Sequence, residues 1–318
     1  MRYETAQCGQ NVRFDMNTEQ SNPLLCDIES GICEMPGNNA DTAATTAATA
    51  HNVLKIIYFT DPICSSCWGI EPQLRKLKME YGRYFDIEYR MGGLLPDWSY
   101  NSGGISKPSD VAHHWDEVSH YYDMPIDGDV WLEDPLHSSY PPSIAFKAAQ
   151  MQDAAKAVRF LREIREMVFL RKQNITQWKH LATAAGNVGL DLQQFEADYH
   201  GHAKSLFKED LDLGAQLGVR GFPTLFFADR NGGLEKVYGT KPYEVYEAAL
   251  RRQLPSAVKS PIDTGWQKLF TRYRTLTTRE FAELSQTPRE DSEAFLQKLV
   301  ESGSLSRLIT KNGTLWIN

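Results

Sequence analysis

Two cysteines separated by two serines, Cys64-Ser65-Ser66-Cys67, are the residues best placed to do chemistry. Thiols at this spacing can close a small disulfide ring. A thiol at the first turn of a helix is biased toward thiolate by the unpaired backbone N–H groups and the positive end of the helix dipole. Such settings lower a thiol pKa from ~8.5 to roughly 3.5–7.5. Cys64 would then attack a substrate disulfide, or transfer its own, through a mixed disulfide that Cys67 resolves from one turn further on. The same C-x-x-C spacing also supplies half of a zinc site. No second C-x-x-C or finger-like His pair follows it, and the motif lies between a strand pattern and a helix pattern. Both points favour redox chemistry, with Cys64 and Cys67 as the catalytic pair and no metal. Asp61, just upstream, would oppose ionisation of Cys64.

The elements needed to hold this pair are legible on both sides of it. Residues 53–59 are rich in β-branched and aromatic side chains and end at Asp61-Pro62, the pattern of a buried strand. Ile70, Leu74, Leu77 and Tyr81 recur at helical spacing up to Gly82, and Pro72 inside that run should kink the helix by removing a donor. Residues 85–89 then alternate as a second strand. From Gly92 to about Asp212 strand signals vanish, and amphipathic patterns near 143–171, 176–187, 191–200 and 203–217 predict at least four helices. Gly221-Phe222-Pro223-Thr224 opens another strand, where a proline suits a tight bend with a cis peptide or an ordinary trans start. Asn231-Gly232-Gly233 turns it into a hairpin, and residues 243–253 form a closing helix.

Beyond this core, residues 1–50 are poor in apolar side chains and read as a flexible N-terminal tail. Cys8, Cys26 and Cys33 lie in it, either as reduced thiols or as zinc ligands or a regulatory disulfide. After a linker over 255–261, Thr277 can cap one helix, Thr287-Pro288 can start another, and Asn312-Gly313 joins two short strands. These predict a small winged-helix-like module over 262–318. Its second helix holds four acidic and two basic residues, and the whole chain carries a net charge of -7, so nucleic acid is not an expected partner. No apolar run reaches the ~18 residues of a membrane helix and the start lacks a secretory pattern, so the protein is expected to be cytoplasmic and free of the membrane. His113, His114 and His120 read as solvated or capping residues, and Trp98, Trp115 and Trp131 as core or groove aromatics.

The order strand, helix, strand, helical block, strand, strand, helix resembles a thioredoxin fold interrupted by an α-helical domain, as in the DsbA-like family. Residues 51–254 would form that α/β domain, with the insertion at about 94–217. Thioredoxins carry a proline at the offset of Pro72 from Cys67, and in that fold a cis-proline loop at Pro223 faces the dithiol. The resemblance therefore implies that Phe222 and Pro223, with Trp68 beside Cys67, form the substrate-binding face, and that the Phe222 backbone pairs with an extended substrate. A closer resemblance is to the SpxH (YjbH) Spx-adaptor branch, through Asp61-Pro62-Ile63-Cys64, Cys67-Trp68, Glu71-Pro72, Glu80-Tyr81-Gly82-Arg83-Tyr84-Phe85, Tyr140-Pro141-Pro142 and Arg220-Gly221-Phe222-Pro223-Thr224. That branch presents a transcription factor to the ClpXP protease, and the neighbouring FrnE-like branch consists of cytoplasmic dithiol isomerases. The N-terminal cysteines here have no nearby histidines, a departure from the His- and Cys-rich stretch of the adaptors. Two functions are thus expected: a thiol-disulfide oxidoreductase or isomerase acting on protein substrates with thiols or disulfides, or an adaptor for a protease client. Neither implies an organic cofactor.

Overall fold

A computed structural model describes residues 26–27, 32–34, 54–99 and 107–318 of the chain. Within the stretch expected as a flexible tail, β1 (Cys26–Asp27) and β2 (Ile32–Glu34) form an antiparallel pair, and the remainder of that stretch, Cys8 included, lies outside the described residues. A strand there is invisible to composition, because it exists only through the sheet edge it joins.

The central strand, β3 (Leu54–Thr60), alternates as its sequence requires. Leu54, Ile56 and Tyr58 face one layer of the core, and Ile57 and Phe59 face the other. After the dithiol come α1 (Ser65–Gly69) and α2 (Glu71–Tyr81), separated at Ile70. Pro72 lies in the first turn of α2, where no intrahelical donor is missed, so the expected kink is a full break followed by a new start. Strand β4 (Phe85–Met91) runs parallel to β3.

The insertion is entirely helical among the described residues: α3 (Pro108–Tyr122), α4 (Val130–Glu133), α5 (Tyr140–Gln152), α6 (Ala154–Leu170), α7 (Trp178–Asn187), α8 (Leu192–His200) and α9 (Ala203–Gln216). The single pattern read over 143–171 is two helices, because Asp153 adopts an extended conformation and caps α6 by accepting the Lys156 N–H at 2.8 Å. The chain then forms β5 (Gly221–Phe222), β6 (Thr224–Ala228), β7 (Leu234–Tyr238) and α10 (Tyr243–Gln253). One sheet has the order β4-β3-β6-β7, with β6 antiparallel to both neighbours, and a second, smaller one has the order β1-β2-β5. The helical insertion packs on one face of the larger sheet around Phe160, Ile164, Val168 and Phe169, while α2 and α10 cover the other with Leu74, Leu77, Tyr246 and Leu250. This is a thioredoxin-like fold with a mixed sheet and many helices.

The C-terminal stretch forms α11 (Trp266–Arg272), β8 (Thr275–Thr277), α12 (Thr278–Ser285), α13 (Arg289–Glu301), β9 (Ser306–Thr310) and β10 (Gly313–Ile317), with its own apolar cluster around Phe270, Leu284, Leu296 and Trp316. The cap expected at Thr277 forms: its hydroxyl accepts the Glu280 N–H at 3.2 Å, and Glu280 accepts the Thr277 N–H at 2.8 Å. Neither α11 nor β8 is signalled by the sequence, and β8 is a strand only by pairing with β10. Polar contacts bind this stretch to the rest of the chain. Lys311 reaches Asp116 at 2.5 Å and Asp129 at 2.8 Å, and the Asn312 amide donates to the Ile126 carbonyl at 2.8 Å.

Candidate dithiol site

Strand β3 delivers Thr60 and Asp61 to the interior, and the chain turns there into α1 with Cys64 at its N-cap. The Cys64 Sγ accepts the Cys67 backbone N–H at 3.1 Å, the role a serine or aspartate oxygen plays at an ordinary N-cap. The helix-start geometry expected from the sequence is present. Its electrostatic outcome is different, because both cysteines are 0% exposed. Burial, followed by the hydrogen bond and charge of Cys67, pushes the Cys64 thiol well above its ordinary range, and the Asp61 charge acts in the same direction. For Cys67 burial is again the largest influence and raises the pKa. The hydrogen bond from Cys64 and the positive charge of Arg165 outweigh it, and the net direction is down.

Arg165 is a fully buried cation that sequence reading passed over. It reaches from α6 to donate to Glu71 at 2.6 Å, to the Thr60 hydroxyl at 2.6 Å and to the Asp61 carbonyl at 3.2 Å. The available signal was a charged residue on the apolar stripe of α6, between Ile164 and Val168. Asp61 is equally buried and accepts three hydrogen bonds, from Leu94 N at 2.8 Å, Ser139 Oγ at 2.9 Å and Ile63 N at 3.0 Å. Even so, burial dominates and its carboxyl is pushed up to about 6.

Trp68 does not lie on an exposed face, as the resemblance implied it would. It is 0% exposed, stacks on Phe169 at 5.5 Å, donates its indole N–H to the Pro125 carbonyl at 3.1 Å and lies under the Arg162 guanidinium at 4.3 Å. No face of the ring is left for a substrate, because a helix of which every residue is buried can turn its tryptophan only inward. Arg162 in turn forks onto Glu280 at 2.8 and 3.0 Å, linking the dithiol helix to the C-terminal stretch. Glycine is needed where α3 crosses α1, since a Cβ on Gly69 would stand 2.6 Å from the Tyr122 ring. The Tyr122 hydroxyl hydrogen-bonds Ser66 Oγ at 2.8 Å.

The Phe222–Pro223 peptide bond is cis. The Phe222 ring packs into space left by Gly92, where a Cβ would lie 1.7 Å from it, and the Thr224 hydroxyl donates to the Gly221 carbonyl at 2.7 Å. The backbone of Gly221 and Phe222 pairs antiparallel with β2, in the register Cys33 opposite Phe222 and Glu34 opposite Gly221, and β2 also lies beside α1. An extended segment does sit on this edge, and it is the chain's own. Cys26 stands opposite Cys33 in the β1–β2 register. Trp115 and Trp131 are core residues, in edge-to-face contact at 5.2 Å, and half-buried Trp98 packs against Trp131. His113 is exposed and pairs with Glu117 at 3.1 Å, while His114 is buried. Among the described residues no three His, Cys, Asp or Glu side chains converge as metal ligands, and no helix is long and apolar enough to cross a membrane.

The thioredoxin family model matches residues 58–248. The chain is 36% identical over 302 residues to the ClpXP adapter protein SpxH of Halalkalibacterium halodurans, covering 93% of this chain and 97% of that one. It belongs to the SpxH family, within the thioredoxin family. A second SpxH relative, from Shouchella clausii, is 33% identical over 95% of this chain and 99% of its own length. Among solved structures, one provisionally described as a protein disulfide isomerase from Nitrosomonas europaea superposes with a TM-score of 0.53 at 22% identity, covering 64% of this chain and 97% of that one. That likeness bears on the fold alone. The SpxH matches, by contrast, cover so much of the chain that they reach into the C-terminal stretch that the family model leaves out.

Proposed function

We propose that this protein is a cytoplasmic adapter that delivers a client protein, a transcription factor of the Spx type, to the ClpXP protease, with the thioredoxin-like fold serving as a binding platform. The observation that carries this reading is the match along almost the whole length of relatives named ClpXP adapter SpxH. The buried, acid-weakened Cys64 supports it, because a thiol that is neither exposed nor readily ionised is poorly suited to attack an external disulfide. Reconstituted ClpXP with an Spx-type client provides the test. Adding the wild-type chain is expected to accelerate client loss, and the double variant Cys64→Ser, Cys67→Ser is expected to do so as well. No acceleration by the wild type would refute the adapter reading.

A second reading, a thiol-disulfide oxidoreductase with Cys64 as nucleophile, Cys67 as resolving thiol and Phe222 with Pro223 shaping the substrate face, draws on the N-cap geometry of Cys64 and the 3.1 Å contact to Cys67 N. Insulin reduction separates the two. Turnover by the wild type that Cys64→Ser abolishes would support the redox reading, and equal rates in both proteins would remove it.

A further inference from the structure

We propose that β2 is a built-in competitor for the sheet edge at Gly221–Phe222, and that the partner using this edge is an extended polypeptide segment that must displace it. The adapter reading is needed only to say whose segment that partner is. Four observations converge. Among the described residues, β5 has a single strand neighbour, β2, so the edge it offers is filled from within the chain. The pairing is antiparallel, with Cys33 opposite the residue that precedes Pro223. β2 lies beside α1, the helix that carries the dithiol, and both of the site's cysteines are fully buried. Finally, β2 has β1 on its far side, which shields its own outer edge and stops it recruiting another strand.

Main-chain pairing at a sheet edge is tolerant of sequence, because each residue supplies the same N–H and C=O. A foreign extended segment would therefore need the groups that Cys33 and Glu34 now pair with. The internal strand has the advantage of a tether, because it belongs to the same chain and its binding is an intramolecular event. It also has a weakness: β2 is only three residues long, so few backbone bonds hold it. An occupant that is favoured by its tether but weakly held is suited to exchange. If the filled form makes up about nine-tenths of the population, an external segment binds about 10-fold more weakly than to an open edge.

The test uses the full-length chain. Cys33→Pro with Glu34→Pro removes two backbone donors from β2 and leaves β5 unchanged. The probe is a fluorescein-labelled synthetic peptide of residues 30–36 with serine at the Cys33 position, followed by anisotropy under reducing conditions. The double-proline chain is expected to bind the peptide about 10-fold more tightly than the wild type. Equal affinities, or binding to neither protein, would overturn the proposal. Amide exchange on the same samples gives a second readout that needs no peptide. Adjacent antiparallel pairs alternate between bonded and non-bonded, so one of the Gly221 and Phe222 amides faces β2; that amide should be protected in the wild type and lose protection in the variant, with Ile56 in the central strand remaining protected in both. Absence of that protection in the wild type would overturn the proposal even if the variant failed to fold. Client degradation by ClpXP enters none of these readouts, so failure of the adapter reading would be seen separately.

Discussion

Replacing Asp61 by asparagine should change how the protein's stability depends on pH. Asp61 is 0% exposed, and burial raises its carboxyl from 3.8 to about 6 despite three donated hydrogen bonds. A carboxyl with a higher pKa folded than unfolded binds its proton more tightly in the native state. Its contribution is therefore most favourable below the unfolded value and is lost as pH rises through the folded one. The shift of about 2 units corresponds to about 3 kcal/mol, of which about 2 kcal/mol falls between pH 4.5 and pH 8. Asparagine does not titrate, so it removes this dependence. It also presents an N–H₂ group where one carboxylate oxygen accepted Leu94 N, which costs roughly 1–3 kcal/mol for the donor left unpaired. The two effects have opposite sign near neutrality. Asp61→Asn should be clearly less stable than the wild type at pH 4.5 and close to it at pH 8. Urea unfolding of both proteins from pH 4.5 to pH 8 measures this, since every other titrating group cancels in the difference. Stability curves that stay parallel across that range would show that Asp61 titrates normally, and the argument from burial would fail.

The remaining predictions concern the same neighbourhood. Arg162→Met should destabilise the protein by about 1–3 kcal/mol in urea unfolding, because it takes the forked partner from the buried Glu280 carboxylate and leaves it only Arg75, at 3.3 Å, as a cation, and adding Glu280→Gln should restore part of the loss. Gly92→Ala should cost about 1–3 kcal/mol and displace the Phe222 ring, which a Cβ would approach to 1.7 Å; loss of protection at the Gly221–Phe222 amide that faces β2 would report the displacement. The Cys64 thiol, pushed up mainly by burial, should show iodoacetamide reactivity still rising above pH ~8.5, and a plateau near neutrality would contradict the buried site described above.

The sequence by itself determined the chain's local vocabulary. The buried strand that ends at Asp61-Pro62, the cysteines at a helix start, the cap at Thr277 and the helical disturbance at Pro72 all follow from residue type and spacing, since each depends on neighbours a few positions away. The partners of Arg165, Asp61 and Arg162 are not given by spacing. They come from elements far apart in the chain, and only the packing of α6 against the dithiol turn and the C-terminal stretch brings those charges together. The same holds for the ionisation of Cys64: helix position predicts an acidic thiol, while burial, a property of the whole assembly, reverses the direction. The sheet edge at Gly221–Phe222 is the clearest case. The resemblance to thioredoxins implies that the loop at Phe222 and Pro223 pairs with an extended segment, and in the tertiary structure the segment paired there is Ile32–Glu34, because strand pairing is a contact between distant parts of the chain with no periodicity of its own.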